Sequence, residues 1–257
     1  MRGFCLEVSG KNACFTRPEM KVERVSYDVI TPSAARAIFE AILWKPAILW
    51  EIERIEVLAP IRWESVRRNE VGKVASDRSS GIFIEDDRQQ RAGLFLRDVK
   101  YRLFAEFIFI APEERPKVIR PLPEWLCELE GAEEVEVINM PDDRPDEKEA
   151  KYAAMFERRA KKGQTFHHPY FGCREFPVDF RLVRDPAAEQ TVVPDELKGE
   201  RDLGWMLYDL DYSDPREIQP LFYRPKMIDG IIDVKKYRAE AELPEARQFQ
   251  LQRKGVA

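Results

Sequence analysis

Residues 151–176 read KYAAMFERRAKKGQTFHHPYFGCREF and hold both histidines of the chain, His167 and His168. Between Ala150 and Arg174 stand six Lys and Arg (Lys151, Arg158, Arg159, Lys161, Lys162, Arg174) against one acid, Glu157. Two chemistries suit such side chains. Clustered cations bind a polyanion, and an imidazole, with an ordinary pKa of about 6.5, transfers protons near neutrality. The block before it has the opposite sign: from Glu113 to Glu149, 13 Asp and Glu face five Lys and Arg. Adjacent blocks of opposite charge either pair with each other as a solvated surface or form a polyanion site beside an acidic flap. Charge alone leaves both open. Histidine also ligates metals, but the cysteines a zinc site would enlist (Cys5, Cys14, Cys127, Cys173) are scattered and form no C-x-x-C pair. No metal and no cofactor is expected.

The elements that position this strip come from a chain of 257 residues, 44% hydrophobic and 35% charged. That is enough for one sizeable core, or a core with a smaller appended region. Formal charge is −5 and mean hydropathy is −0.48. No apolar run approaches the roughly 18 residues a membrane span needs. The N-terminal MRGFCLEVSG lacks a signal peptide's apolar stretch. No membrane contact is expected, and the cysteine usage fits a reducing cytoplasm.

GFCLEVSG alternates Phe4, Leu6 and Val8 and predicts a half-buried first strand. Thr31-Pro32-Ser33 then opens a helix, with Pro32 at a first helical position and Ala34, Ala37, Ile38, Ala41 and Ile42 on one face. Pro46 stops it. Ala47–Pro60 reads as a long strand with an irregularity near Arg54, followed by an extended edge and a basic turn carrying Arg67 and Arg68. Lys73–Gln90 is a polar hairpin loop, and Gly93–Ala111 is the strongest strand signal. Pro and Glu interrupt the pattern over 113–146, which reads as an insertion. Residues 147–162 form a second helix that stops at Gly163, with Ala150, Ala154, Met155 and Ala160 as its buried side. Cys173–Val183 is the next strand. The predicted class is α+β in the order β, α, β, β, α, β, a ferredoxin-like order shared by RRM-like RNA-binding modules. It spans residues 1–184, with a small β-rich region and polar tail over 185–257.

Three strings now matter together: W-K-P at 44–46, P-I-x-x-x-S-x-R-R-N-E-V at 60–71, and R-R-A-x-K-G-Q-x-F-H-x-P-Y-x-G-C-R-E-F at 158–176. With GFCLEVSG and GLFLRDVKY, they resemble the fifth CRISPR-associated family in its subtype I-C (Dvulg) form, within the RAMP superfamily. The likeness runs through most of residues 1–184 and weakens beyond. It implies a subunit of the type I-C Cascade complex, partnered by its backbone and large subunits, that holds the 5′ handle of CRISPR RNA. It further implies cleavage of the repeat RNA at the 3′ base of its hairpin, without metal, leaving a 5′-hydroxyl.

Such cleavage uses the adjacent 2′-hydroxyl as nucleophile. Protein groups must remove its proton, offset phosphorane charge and protonate the leaving oxygen. The family triad is a Tyr before W-K-P and an adjacent Lys-His opening the second helix. Those positions are Leu43, Lys151 and Tyr152 here, so only the lysine matches. Leucine transfers no proton, and a phenol, ordinarily near pKa 10, is a poorer base than imidazole. Lys151 is read as the phosphate stabiliser, Tyr152 as acid, base or core aromatic, and His167 as an RNA contact or replacement base. Tyr27 and Tyr101 read as structural. Lys45, Arg67, Arg68, Arg158, Arg159, Lys161, Lys162 and Arg174 are candidate RNA contacts, with a solvated charge run as the plain alternative. Trp44, Trp50 and Trp63 read as core rather than stacking platforms. Two functions lead, a nuclease that keeps its handle and a binding scaffold without cleavage; a ferredoxin-like regulatory domain with no RNA role is the distant third.

Overall fold

The computed structural model describes residues 3–73, 76, 81–111, 148–189, 191–211 and 218–240. The acidic 113–146 segment and residues 241–257 of the tail lie outside them. Strand β1 (Phe4–Ala13) leads to helix α1 (Pro32–Ile42), then β2 (Ile48–Val57), β3 (Trp63–Val71) and the 22-residue β4 (Arg88–Phe109). Helix α2 (Glu149–Lys161) and β5 (Asp179–Val183) follow. The sheet runs β5-β1-β4-β2, each neighbouring pair antiparallel, with α1 and α2 packed on one face.

The cap signals work as read. Thr31 Oγ1 accepts from the Ala34 N–H at 3.3 Å, and Pro32 fills the first helical position. At the end of α2, Gly163 takes φ +66°. The N–H of Gly163 reaches Ala160 O at 3.3 Å and that of Gln164 reaches Arg159 O at 2.9 Å, the double bond of a Schellman stop. The irregularity in β2 falls where expected, as a register shift between Ile52 and Arg54.

Five aromatic rings (Phe4, Phe39, Trp50, Phe107, Phe156) pack between sheet and helices at centroid separations of 4.6–5.8 Å. This cluster decides which way α2 faces. Its buried residues are Tyr152, Ala153, Phe156 and Ala160, whereas Ala150 and Ala154 are exposed and Met155 is half-buried. Of the expected face Ala160 is buried, and the rest is corrected in favour of Tyr152, Ala153 and Phe156. Burying two large rings outweighs burying methyl groups, since the driving term follows apolar area. Helix α1 buries Ile38, Ala41 and Ile42 of the expected face together with Phe39 and Ala35, while Ala37 is exposed.

Three further readings change. Arg67 and Arg68 are not in a turn but inside β3, which pairs with the first half of β4 from Trp63↔Leu96 to Val71↔Arg88. The 173–178 stretch is not strand, and β5 begins only at Asp179. Gly172 sets that boundary: its φ is +77°, and a Cβ there would stand 2.0 Å from Cys14 O. Beyond β5, β6 (Glu200–Asp202), β9 (Lys226–Ile228) and β10 (Ile231–Asp233) extend the same sheet past β2 in the order β2-β10-β9-β6. Strands β7 (Met206–Asp211) and β8 (Gln219–Tyr223) form a separate ribbon. It is tied to α1 by Arg36, which forks onto the buried Asp209. Met206, Tyr223 and Ile232 share the core with Phe39 and Trp50. Helix α3 (Val234–Glu240) closes the described chain.

Candidate nucleic-acid interface

Helix α2, the loop after it, and the end of α1 form one surface. The last carbonyls of α1 have no helical donors of their own. Three elements supply them: Phe166 N–H to Ala41 O at 2.8 Å, Arg159 Nε to Ile42 O at 2.6 Å, and Trp50 Nε1 to Leu43 O at 2.8 Å. Arg159 also lies over the Phe166 ring, 4.2 Å from its centroid. It is therefore a pin between α1, α2 and the loop, more than a free phosphate ligand.

Around that pin stand exposed Arg158, Lys161 and Lys162 and half-buried Lys45, none with an ion-pair partner among the described residues. Cations in the last turn of α2 also suit its dipole. Lys151 sits in the first turn, where a positive charge is disfavoured. Its Nζ has no exposed surface and no hydrogen-bond partner among the described residues. An unpaired ammonium so enclosed gains strongly from an anion. Tyr152, beside it, is 5% exposed and packs against Phe109 at 6.0 Å. Leu43 is fully buried, as are the rings of Tyr27 and Tyr101.

His167 is exposed, and its Nδ1 lies 3.3 Å from His168 O. With the hydrogen on Nδ1, Nε2 keeps its lone pair. Eight residues of helix separate Lys151 from Arg159 beneath Phe166, about 12 Å of axis. Lys151 and His167 thus sit toward opposite ends of α2.

The second basic cluster is elsewhere. Arg68 lies opposite Arg91 on β4, eighteen residues before the Phe109 that meets Tyr152, roughly 60 Å of strand path. Arg68 is held by Glu70 at 3.1 Å and Glu175 at 3.8 Å, and lies over the Phe95 ring. Arg67 is exposed. Arg174, also exposed, neighbours the Cys14–Cys173 contact, where Cys173 Sγ lies 3.8 Å from Cys14 O. Cys14 holds the Cys173 thiol below its ordinary value, to about 7, by a hydrogen bond.

One carboxylate cluster escaped the sequence reading. Glu51, Glu53 and Glu106 bring oxygens within 4.8 Å of one another, on paired strands β2 and β4. Lys235 Nζ stands 2.6 Å from Glu53 and 4.0 Å from Glu106, so an ammonium supplies positive charge there.

The solvent-facing aromatics were also missed. Trp44 is 51% exposed and Phe166 57%, and Trp63 is exposed too; only Trp50 of the three expected core tryptophans is buried. Ala37, Glu40, Trp44, Phe166, His167, Pro169 and Tyr170 line a cavity of about 360 Å³. The available signal was the W-K-P stop: a helix that ends on buried Leu43 must turn the next residue outward.

The family model for CRISPR-associated protein Cas5, in its Cas5d form, matches residues 3–123 and 137–235. The chain belongs to the Cas5 family. A Cas5 relative from Mannheimia succiniciproducens, named CRISPR pre-crRNA endoribonuclease Cas5d, is 44% identical over 91% of this chain and 96% of its own length. One of the same name from Thermus thermophilus is 42% identical over 86% of this chain and 79% of its own. A solved structure described as a CRISPR-associated protein superposes with a TM-score of 0.60 over 94% of this chain and 95% of the other, at 24% identity, a likeness of fold. The Cas5 match passes over only 124–136 of the acidic segment and continues through β6–β10.

Proposed function

We propose that this Cas5 chain is a pre-crRNA endoribonuclease that cuts repeat RNA by 2′-hydroxyl attack, without metal, and keeps the 5′ handle as a cytoplasmic Cascade subunit beside the backbone and large subunits. The carrying observation is the buried Lys151 Nζ, which has no hydrogen-bond partner among the described residues, on the helix whose Arg158, Lys161 and Lys162 have no ion-pair partner among them either, in a chain 42–44% identical to two proteins named for this activity. The strand order β5-β1-β4-β2 with both helices on one face supports the ferredoxin-like, RAMP-type reading.

In this reading Lys151 offsets charge on the phosphorane, and Arg158, Lys161, Lys162 and Lys45 hold flanking phosphates. Tyr152 serves the core, because its ring is committed to packing. His167, toward the other end of α2 from Lys151, contacts RNA through Nε2.

A second reading, a scaffold that binds the handle without cutting, is favoured by one observation: Leu43 and Tyr152, where the family triad has Tyr and His, are both buried. One assay separates the two. Purified protein is incubated with end-labelled repeat RNA in a chelator. Cleavage at the hairpin base that falls by about two orders of magnitude in Lys151→Ala supports the nuclease. Tight binding without cleavage supports the scaffold, and no binding at low salt defeats both.

A further inference from the structure

The cavity between α1 and the 166–170 loop is built unlike a packed core. Two large aromatic side chains, Trp44 and Phe166, stand more than half exposed at its edge. Arg159 lies over the Phe166 ring, 4.2 Å from its centroid, and the side chain is still 57% exposed. Among the described residues of the lining, Glu40 is the one carboxylate, and it is ion-paired with Arg36 at 3.4 Å. Outside the lining the charge is positive: Lys45 follows Trp44 in sequence, and Arg158, Lys161 and Lys162 lie within a turn of Arg159.

We propose that this cavity takes one unstacked nucleobase of the bound RNA, with Trp44 and Phe166 as stacking faces and Glu40 as acceptor for an exocyclic amino group. The inference rests on the RNA reading above and adds a base-specific site to it. An unstacked base presents a π-face to aromatic side chains whatever its identity. Its backbone stays outside, where Lys45, Arg158, Lys161 and Lys162 are exposed or half-buried. A carboxylate in the lining accepts from cytosine, adenine or guanine amines and finds no such donor on the exocyclic positions of uracil. A peptide side chain would fit the apolar walls equally, but gives no reason for cations around the rim.

The test is binding of labelled repeat RNA, with variants that keep bulk but lose the π-face. Trp44→Leu and Phe166→Leu are expected to weaken binding by roughly 5- to 150-fold, while Trp44→Phe and Phe166→Tyr stay within about threefold of wild type. Thermal unfolding of each variant identifies any that misfold, and for those the aromatic replacements carry the comparison. Abasic substitution along the RNA should reveal one position at which the Trp44→Leu defect disappears, and Glu40→Gln should relax the base preference at that position. Leucine variants that bind like wild type, or a defect additive with every abasic position, would overturn the pocket and leave the RNA reading standing. Leucine variants that lose only a protein partner would likewise overturn it. Wild-type protein that binds no repeat RNA would overturn the RNA reading, and the pocket with it.

Discussion

Strand β3 and helix α2 each carry a run of adjacent arginines, and as strings they look alike. The fold engages one arginine of each pair differently: Arg68 by carboxylates, and Arg159 by the Ile42 carbonyl and the Phe166 ring. Arg68 is met by Glu70 from its own strand and Glu175 from a loop more than 100 positions later, and Arg91 joins the same group by approaching Glu70 at 3.5 Å. On α2, Arg158, Lys161 and Lys162 are exposed and make no ion pair among the described residues. Formal charge in a sequence therefore overstates what remains available. What a polyanion meets is the charge left after tertiary partners are counted.

The sharpest way to break this contrast is kinetic. Single-turnover cleavage of repeat RNA is expected to drop about 100- to 1,000-fold in Lys151→Ala, the loss typical of a donor aimed at developing oxyanion charge, and to change by less than about threefold in Arg68→Ala. Equal losses would erase the distinction. Tyr152 offers the next largest effect. Tyr152→Ala should destabilise the fold by about 3 kcal/mol in denaturant melts, since it empties an aromatic site in the core. Tyr152→Phe keeps the ring and is expected to keep cleavage within about threefold, whereas a hundredfold loss would assign the hydroxyl to proton transfer.

Several features were readable before the fold was known, and each has a local cause. The Thr31 cap, the Gly163 stop and the shift near Arg54 depend on a few consecutive residues. What stayed hidden depends on distant partners. The facing of α2 is decided by Phe4, Phe39 and Trp50 from three other elements. Arg68 is claimed by Glu175, which string reading cannot bring to it. Trp44 looked like core because tryptophan usually is. It stands 51% exposed between buried Leu43 and half-buried Lys45. Within the site, Lys151 and the α2 cations were legible from composition and resemblance, but the Glu40 and Trp44 side of the cavity required the turn geometry.

Smaller effects sharpen the contrast further. Glu175→Gln removes one partner each from Arg24 and Arg68, so it should free cationic charge on β3 at a stability change of at most about 1 kcal/mol, read as a small shift of Tm. RNA affinity that rises in this variant would show that the loop carboxylate masks β3. The slightest effect is chemical. Only the thiolate alkylates, and the folded Cys173 value is depressed from 9.0 to about 7, so its alkylation should be half-maximal near pH 7 and fall as pH drops below it. Burial pushes Cys5 up to about 12, and the hydrogen bond with Cys173 raises Cys14, so both should resist. A Cys173 that reacts only near pH 9 would deny the thiol contact that seats Arg174 and Glu175.

The most direct measurement is the salt dependence of repeat-RNA binding in two charge-neutralised variants. Each phosphate contact on a single strand contributes about −0.7 to the log–log slope, so Arg158→Gln/Lys161→Gln/Lys162→Gln should flatten it by about 2. Arg67→Gln/Arg68→Gln should change it by less than about 1, since Arg68 is already engaged by Glu70 and Glu175. A slope that flattens more in the β3 variant than in the α2 variant would contradict the account.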